Sequence, residues 1–356
     1  MNALGERIAA LIAAQGPISV AQFMTLALHD AEGGYYATRD PFGRSGDFIT
    51  APEISQMFGE MLGLWCGQVW VDQGCPKNTR LVELGPGRGT LMADALRALK
   101  RVPGFLDEVE LVLVEASPTL RDIQHARLKD SGANIRWSTH FEVQKAPLLL
   151  LANEFFDALP VRQYVKTARG WCERMVIVKD GELDFALAPQ ITPAAAIPAS
   201  RAGAPEGGVY ETAPAATSLT EEISREIATY GGAALLIDYG YADVGFGETL
   251  QAVRDHRFAP ILADPGASDL SAHVDFTALG EAARHGGAQV CGPRPQGEFL
   301  DELGVAARTR RLIQANPSEA ENLTNALARL TAPDQMGNLF QAMALLPSSA
   351  PPPPGF

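Results

Sequence analysis

Two groups of residues have the types and spacing that chemistry requires. The first is a glycine run, Gly85-Pro86-Gly87-Arg88-Gly89, preceded by Glu83 in a short apolar stretch of Leu81, Val82 and Leu84. Glycines let a backbone pass close beneath a ligand, and a helix starting just beyond them offers free N–H groups. The second is a polar and aromatic cluster, Asn153-Glu154-Phe155-Phe156-Asp157, which follows a continuous apolar run at 147–152. In a doubly wound α/β sheet, ligands and reacting groups collect beyond the carboxyl ends of the strands.

Spacing narrows the choice of ligand. A dinucleotide fingerprint reads G-x-G-x-x-G and seats a pyrophosphate on the helix N-terminus. Here the third glycine comes one position early, and Glu83 stands beside the loop. A carboxylate is a poor neighbour for a pyrophosphate and a good one for a cationic amino-acid group. S-adenosylmethionine carries an ammonium and a sulfonium and no phosphate, so it fits better than a nicotinamide dinucleotide. Glu115 ends the apolar stretch 109–115, where it can accept hydrogen bonds from two ribose hydroxyls. Both nucleosides share that contact, so Glu115 supports a nucleoside without choosing one. The plainer alternative for the glycine run is a strand-to-helix turn with no ligand.

The elements that must position these groups can be read from periodicity. Residues 2–15 place Leu4, Ile8, Leu11 and Ile12 on one helical face, and Gly16-Pro17 ends that segment. Ser19 with Gln22 has the spacing of a capping box for a helix through Leu28. A loop dense in glycine, aromatic and polar residues spans 33–55 and is expected to form a lid over the site. A helix over 55–72, the strand at 81–84, a strand at 109–115, a helix at 118–129, a short strand at 134–138 and the buried strand at 147–152 follow. Residues 165–167, 174–179 and 183–188 look like strands, with Asp180-Gly181 as a hairpin turn. The Ala-, Pro- and Gly-rich 189–208 reads as a linker with little core. A helix at 217–230 and a buried strand at 231–239 return the chain to the α/β pattern. His273 and Asp275 are two apart and can share a face on a strand, although Asp275 is more simply a helix N-cap. The tail at 348–356, with four consecutive prolines, is expected to be frayed.

The expected organisation is therefore an N-terminal helical and lid segment (1–78), an α/β core (79–164 and 217–305), a β-rich insertion with linker (165–216) and a helical C-terminal segment (306–356). A formal net charge of −13 argues against a nucleic-acid or acidic-membrane binder. Cys66, Cys75, Cys172 and Cys291 show neither CxxC nor Cys/His metal spacing, so no metal and reduced thiols are expected. No signal sequence or membrane-spanning run stands out, and a soluble cytoplasmic protein is the expectation.

Residues 46–58 (GDFITAPEISQMF), 82–90 (VELGPGRGT), 153–163 (NEFFDALPVRQ), 235–241 (LLIDYGY) and 264–276 (DPGASDLSAHVDF) together resemble the MidA-like family. Its members are class I S-adenosylmethionine-dependent methyltransferases with a Rossmann-like sheet, and the mitochondrial ones assist assembly of respiratory complex I. The resemblance runs from about residue 18 to residue 303. It implies methylation of a protein arginine on a subunit of the NADH:quinone oxidoreductase, in a bacterial member of the family. By resemblance, Gly85, Gly87 and Gly89 form the cofactor loop and Glu115 is the ribose acid. Asn153 and Glu154 match the motif after the fourth strand, while Pro52, Glu53 and Ser55 match an N-terminal signature. If the acceptor is arginine, its guanidinium stays protonated in water, and paired carboxylates can hold it bidentately. Glu154 and Glu53 are the candidates for that pair, with Asp157 in reserve, and Glu83 and Asn153 join the cofactor contacts. A homodimer is compatible with this reading. The rivals are a non-catalytic assembly factor that keeps the fold and an NAD-linked oxidoreductase.

Overall fold

The computed structural model describes residues 1–38, 50–242 and 247–356. They form two compact units: Met1–Phe48 with Asp157–Ala216 and Tyr241–His273, and Ile49–Phe156 with Thr217–Gly240 and Val274–Phe356. The segments expected from chain order, 1–78, 79–164 with 217–305, 165–216 and 306–356, are redistributed over these two units.

In the first unit, helix Ala3–Gln15 buries Leu4, Ile8 and Ile12, the face expected from their spacing. Ser19 and Gln22 do form a capping box for helix Val20–His29. Strand Gly170–Lys179 pairs antiparallel with Glu182–Leu187 across Asp180 and Gly181, whose φ angles of 52° and 83° are those of a tight hairpin turn. Arg162–Thr167, Val209–Thr212 and Ile18–Ser19 complete a five-stranded sheet.

The second unit is built on an eight-stranded sheet. Its main strands are β1 (Thr79–Leu84), β2 (Val109–Val114), β3 (Ile135–Ser138), β4 (Leu148–Asn153), β5 (Gly232–Tyr241), β6 (Gln289–Pro295) and β7 (Phe340–Leu346). They lie in the order β6-β7-β5-β4-β1-β2-β3, with Val274–Asp275 pairing beside β5. All pairs from β5 to β3 are parallel, and β7 runs antiparallel between β5 and β6. Central parallel strands are covered on both faces, which is why β1 is buried throughout and β4 reads as an unbroken apolar run. The chain moves outward from β1 to β3 and then returns to β4. The β1/β4 boundary is therefore a topological switch point, where open α/β sheets leave a crevice for ligands.

Helix Gln56–Asp72 fixes the helix that follows β1. A Cβ added to Gly59 would lie 2.7 Å from the Leu91 carbonyl oxygen, and one added to Gly63 would lie 2.6 Å from Ala95 Cα. The two backbones touch at those positions, so helix Thr90–Leu99 cannot slide without breaking the contact.

Two expectations fail at the C-terminus. The segment 306–356 is not only helical, since β7 inserts into the sheet between β5 and β6. The tail is not frayed either: Trp65 Nε1 donates to the Pro354 carbonyl at 3.1 Å, and the Phe356 ring meets Phe299 with centroids 5.2 Å apart. Proline forbids regular structure there, but an aromatic terminus can still dock in a waiting apolar site. No helix among the described residues is long and apolar enough to cross a membrane.

Candidate active site

The loop after β1 has the backbone that its glycines permit. Gly85, Gly87 and Gly89 have φ of 60°, 53° and 73°, all in the left-handed region. Gly89 caps helix Thr90–Leu99 without a side-chain acceptor, which leaves the first-turn amides to a ligand. A Cβ on Gly85 would stand 2.9 Å from Phe155 Cδ2, so the loop after β1 lies against the turn after β4. Register explains the meeting, because Leu84, the last residue of β1, pairs with Ala152, the last but one of β4. Of the two phenylalanines, Phe156 is core and Phe155 is the half-buried one facing the loop.

Glu83, on β1, is buried, and its Oε2 receives no hydrogen bond among the described residues. Burial, aided by the nearby charge of Glu115, pushes its carboxyl from 4.5 up to about 8. Burial and the Glu83 charge likewise raise the Cys66 thiol. The consequence for stability has a definite sign. Native Glu83 keeps its proton where the unfolded chain has lost it, so the contribution is complete below 4.5 and is lost as pH rises through about 8. Melting curves without cofactor should therefore fall more steeply between pH 4.5 and 8 for the wild type than for Glu83→Gln. Parallel curves would refute the assignment. Saturating S-adenosylmethionine should shrink the difference, because a cationic partner favours the ionised carboxylate.

Glu115 follows β2 directly. Its Oε1 accepts from the Ser117 amide at 2.8 Å and its Oε2 from Gln124 Nε2 at 3.3 Å. Burial raises its pKa, and those hydrogen bonds work in the opposite direction. Gln124 also donates to the Gly87 carbonyl at 2.7 Å and accepts from Trp137 Nε1 at 2.9 Å.

At the end of β4, Glu154 takes φ of 51°, a left-handed conformation that side chains other than glycine's seldom adopt. Its Oε1 accepts from the Ala51 amide at 2.9 Å and from Asn153 Nδ2 at 3.1 Å. Burial raises the Glu154 pKa, and the Ala51 amide, Asn153 and the charge of Arg329 oppose that rise. Asn153 Oδ1 is buried and has no hydrogen-bond partner among the described residues. The turn is held from β5: Asp238, buried near its end, accepts from the Phe155 amide at 3.1 Å and the Phe156 amide at 2.9 Å. Glu53 lies in the short helix Ala51–Ile54 and hydrogen-bonds Thr90 Oγ1, which accepts from Arg127 Nη1 at 2.7 Å. Ser55 caps helix Gln56–Asp72 through the Met57 amide.

The second unit thus contains Glu83, Gly85, Gly87, Gly89, Glu115, Asn153, Glu154 and Glu53. Asp157 belongs to the first unit, where its carbonyl accepts from the Ala272 amide at 2.9 Å. Asp275 is a helix N-cap, accepting from the Ala278 amide at 3.0 Å. Residues 39–49 of the expected lid lie outside the described residues. Sequence reading missed Asp238, Gln124 and Thr90. Asp238 had a usable signal, since it sits at the carboxyl end of a buried strand, as Glu115 does. Gln124 and Thr90 had none, because their partners are distant in sequence.

S-adenosylmethionine suits this donor and acceptor set. Two buried acceptors without hydrogen-bond partners among the described residues, Glu83 Oε2 and Asn153 Oδ1, lie on β1 and β4, which flank the switch point, and match a ligand bearing an ammonium. Glu115 offers a carboxylate for hydroxyl donors, and Gly85, Gly87 and Gly89 give the loop its left-handed backbone. Comparison with known proteins agrees. A family model described as "Putative S-adenosyl-L-methionine-dependent methyltransferase" matches residues 61–294. The human protein arginine methyltransferase NDUFAF7, mitochondrial, is 38% identical over 364 residues, covering 94% of this chain and 81% of that protein. Its Xenopus tropicalis counterpart is 35% identical over 380 residues, covering 98% and 86%. A crystal structure from Burkholderia thailandensis, bound to S-adenosyl-homocysteine, superposes with a TM-score of 0.87 at 31% identity, covering 99% of this chain and 94% of that one.

Proposed function

The chain belongs to this S-adenosylmethionine-dependent methyltransferase family, in its MidA-like branch, and from that premise we propose that it methylates an arginine of a protein substrate. The observation that carries the reading is Glu154, a carboxylate held in a left-handed turn beside the glycine loop and tied to the helix that bears Glu53. Bound S-adenosylmethionine supplies an electrophilic methyl group. The residues around it have separate tasks. Glu83 and Asn153 take the amino-acid end, Gly85, Gly87 and Gly89 let the backbone pass beneath it, and Glu115 takes the ribose hydroxyls.

Glu154 and Glu53 accept N–H groups of the incoming guanidinium. Their charge concentrates the positive charge on the nitrogens they hold and leaves the third nitrogen the better nucleophile. That nitrogen would take the methyl group in line as the methyl–sulfur bond breaks, leaving S-adenosylhomocysteine, and would then give up a proton to solvent.

The motifs shared with the MidA-like family support a respiratory NADH:quinone oxidoreductase subunit as the protein substrate. The reading needs one copy of the chain, so a homodimer is no part of the proposal. Purified enzyme given S-adenosylmethionine and an extract from cells lacking it should release S-adenosylhomocysteine in proportion to added extract. Protease treatment of the extract beforehand should abolish the release, and release that survives the protease would rule out a protein substrate. Glu115→Ala should raise the dissociation constant for the cofactor about tenfold or more by calorimetry. An unchanged constant would remove Glu115 from the ribose contact.

A further inference from the structure

We propose that Gln124 is a positioning residue for the nucleoside, fixing the Glu115 carboxylate and the Gly87 carbonyl in one geometry; this rests on reading Glu115 as the ribose acid. Gln124 lies on helix Pro118–Leu128 and is fully buried. Its single amide joins three elements of the site: the loop after β1 through Gly87, the end of β2 through Glu115, and β3 through Trp137. A Cβ added to Gly89 would lie 3.4 Å from Gln124 Cγ, so the side chain passes directly against the loop.

The amide has only one workable orientation. The indole of Trp137 can only donate, and the Gly87 carbonyl and the Glu115 carboxylate can only accept. Flipping the amide would set N–H against N–H and oxygen against two oxygens. Trp137 is itself held by stacking on His125, with ring centroids 3.6 Å apart. Glu115 is therefore anchored at both oxygens, by the Ser117 amide on one and by Gln124 on the other. Its remaining lone pairs keep a fixed plane toward a ligand, which is what two neighbouring hydroxyls need from one carboxylate. Neither methionine nor glutamate fills the role. Methionine keeps the volume but loses both donors, and glutamate sets a second carboxylate against Glu115 and the Gly87 carbonyl.

The test compares S-adenosylhomocysteine with its 2′,3′-dideoxy counterpart by calorimetry, on the wild type, Gln124→Met, Gln124→Glu and Glu115→Ala. The wild type should prefer the hydroxylated ligand about tenfold or more. Gln124→Met should lose most of that preference, weakening the hydroxylated ligand much more than the dideoxy one. Gln124→Glu should lose it as well, which keeps the test open if the methionine variant does not fold. A Gln124 variant that retains the wild-type preference, or weakens both ligands equally, overturns the inference. Should Glu115→Ala itself retain the preference, the ribose assignment fails instead, so the two failures are distinguishable.

Discussion

Glu154→Gln is expected to slow methyl transfer by about 10³-fold while cofactor affinity stays within severalfold of the wild type. The substitution preserves shape, and the remaining amide oxygen can still accept from the Ala51 amide, now at 2.9 Å. It then turns an NH2 group where a guanidinium would approach, so donor faces donor and the charge that orients the acceptor is gone. Because the acceptor contact is lost and the cofactor contacts are not, kcat should fall much more than the cofactor dissociation constant rises. Initial rates at saturating cofactor, combined with calorimetry, separate the two. Near-wild-type turnover would remove Glu154 from the chemistry.

Gly85→Val should weaken cofactor binding strongly, for two independent reasons. At φ of 60° a valine bears roughly 1–2 kcal/mol of left-handed backbone strain. Its Cβ would also stand 2.9 Å from Phe155 Cδ2, and forcing atoms into such a contact costs roughly 1–3 kcal/mol. Relief of that contact moves the loop or the turn that carries Glu154, and the crevice between β1 and β4 loses its shape. Together the two effects, about 2–5 kcal/mol, correspond to at least about 30-fold in affinity. Gly132→Val is the control: its φ of 78° imposes similar strain, but nothing lies within 4 Å of its Cβ. That variant should melt lower and bind S-adenosylhomocysteine as the wild type does. Wild-type affinity in Gly85→Val would show that the loop does not touch the cofactor.

Much of the site could be read from sequence because its first requirements are local. The left-handed backbone at 85, 87 and 89 demands glycine, and glycine spacing is visible in a string of letters. The central strands are unbroken apolar runs because both of their faces are covered, and Glu115 follows its strand directly. Ser19 with Gln22 and Asp180 with Gly181 are short-range devices, and both were legible. What could not be read depends on distant partners. The residues of β7, Phe-Gln-Ala-Met-Ala-Leu-Leu, favour helix as much as strand by composition, and only pairing with β5 and β6 makes them a strand. Proline content described the tail correctly as irregular but gave no account of the Trp65 and Phe299 sites that hold it. The same limit applies to chemistry. Glu154 and Asp157 are near neighbours in sequence yet belong to different units, whereas Ala51 and Glu154 are joined by a hydrogen bond across 103 positions.

The most direct test follows the methyl group itself. The wild-type chain, radiolabelled S-adenosylmethionine and an extract from cells lacking the protein are incubated together, and the labelled protein is hydrolysed to amino acids. The account predicts label in one protein band and, after hydrolysis, on methylated arginine alone, with Glu154→Gln leaving both empty. Label on lysine, on a carboxyl ester or on nucleic acid, or equal labelling by Glu154→Gln, would contradict it.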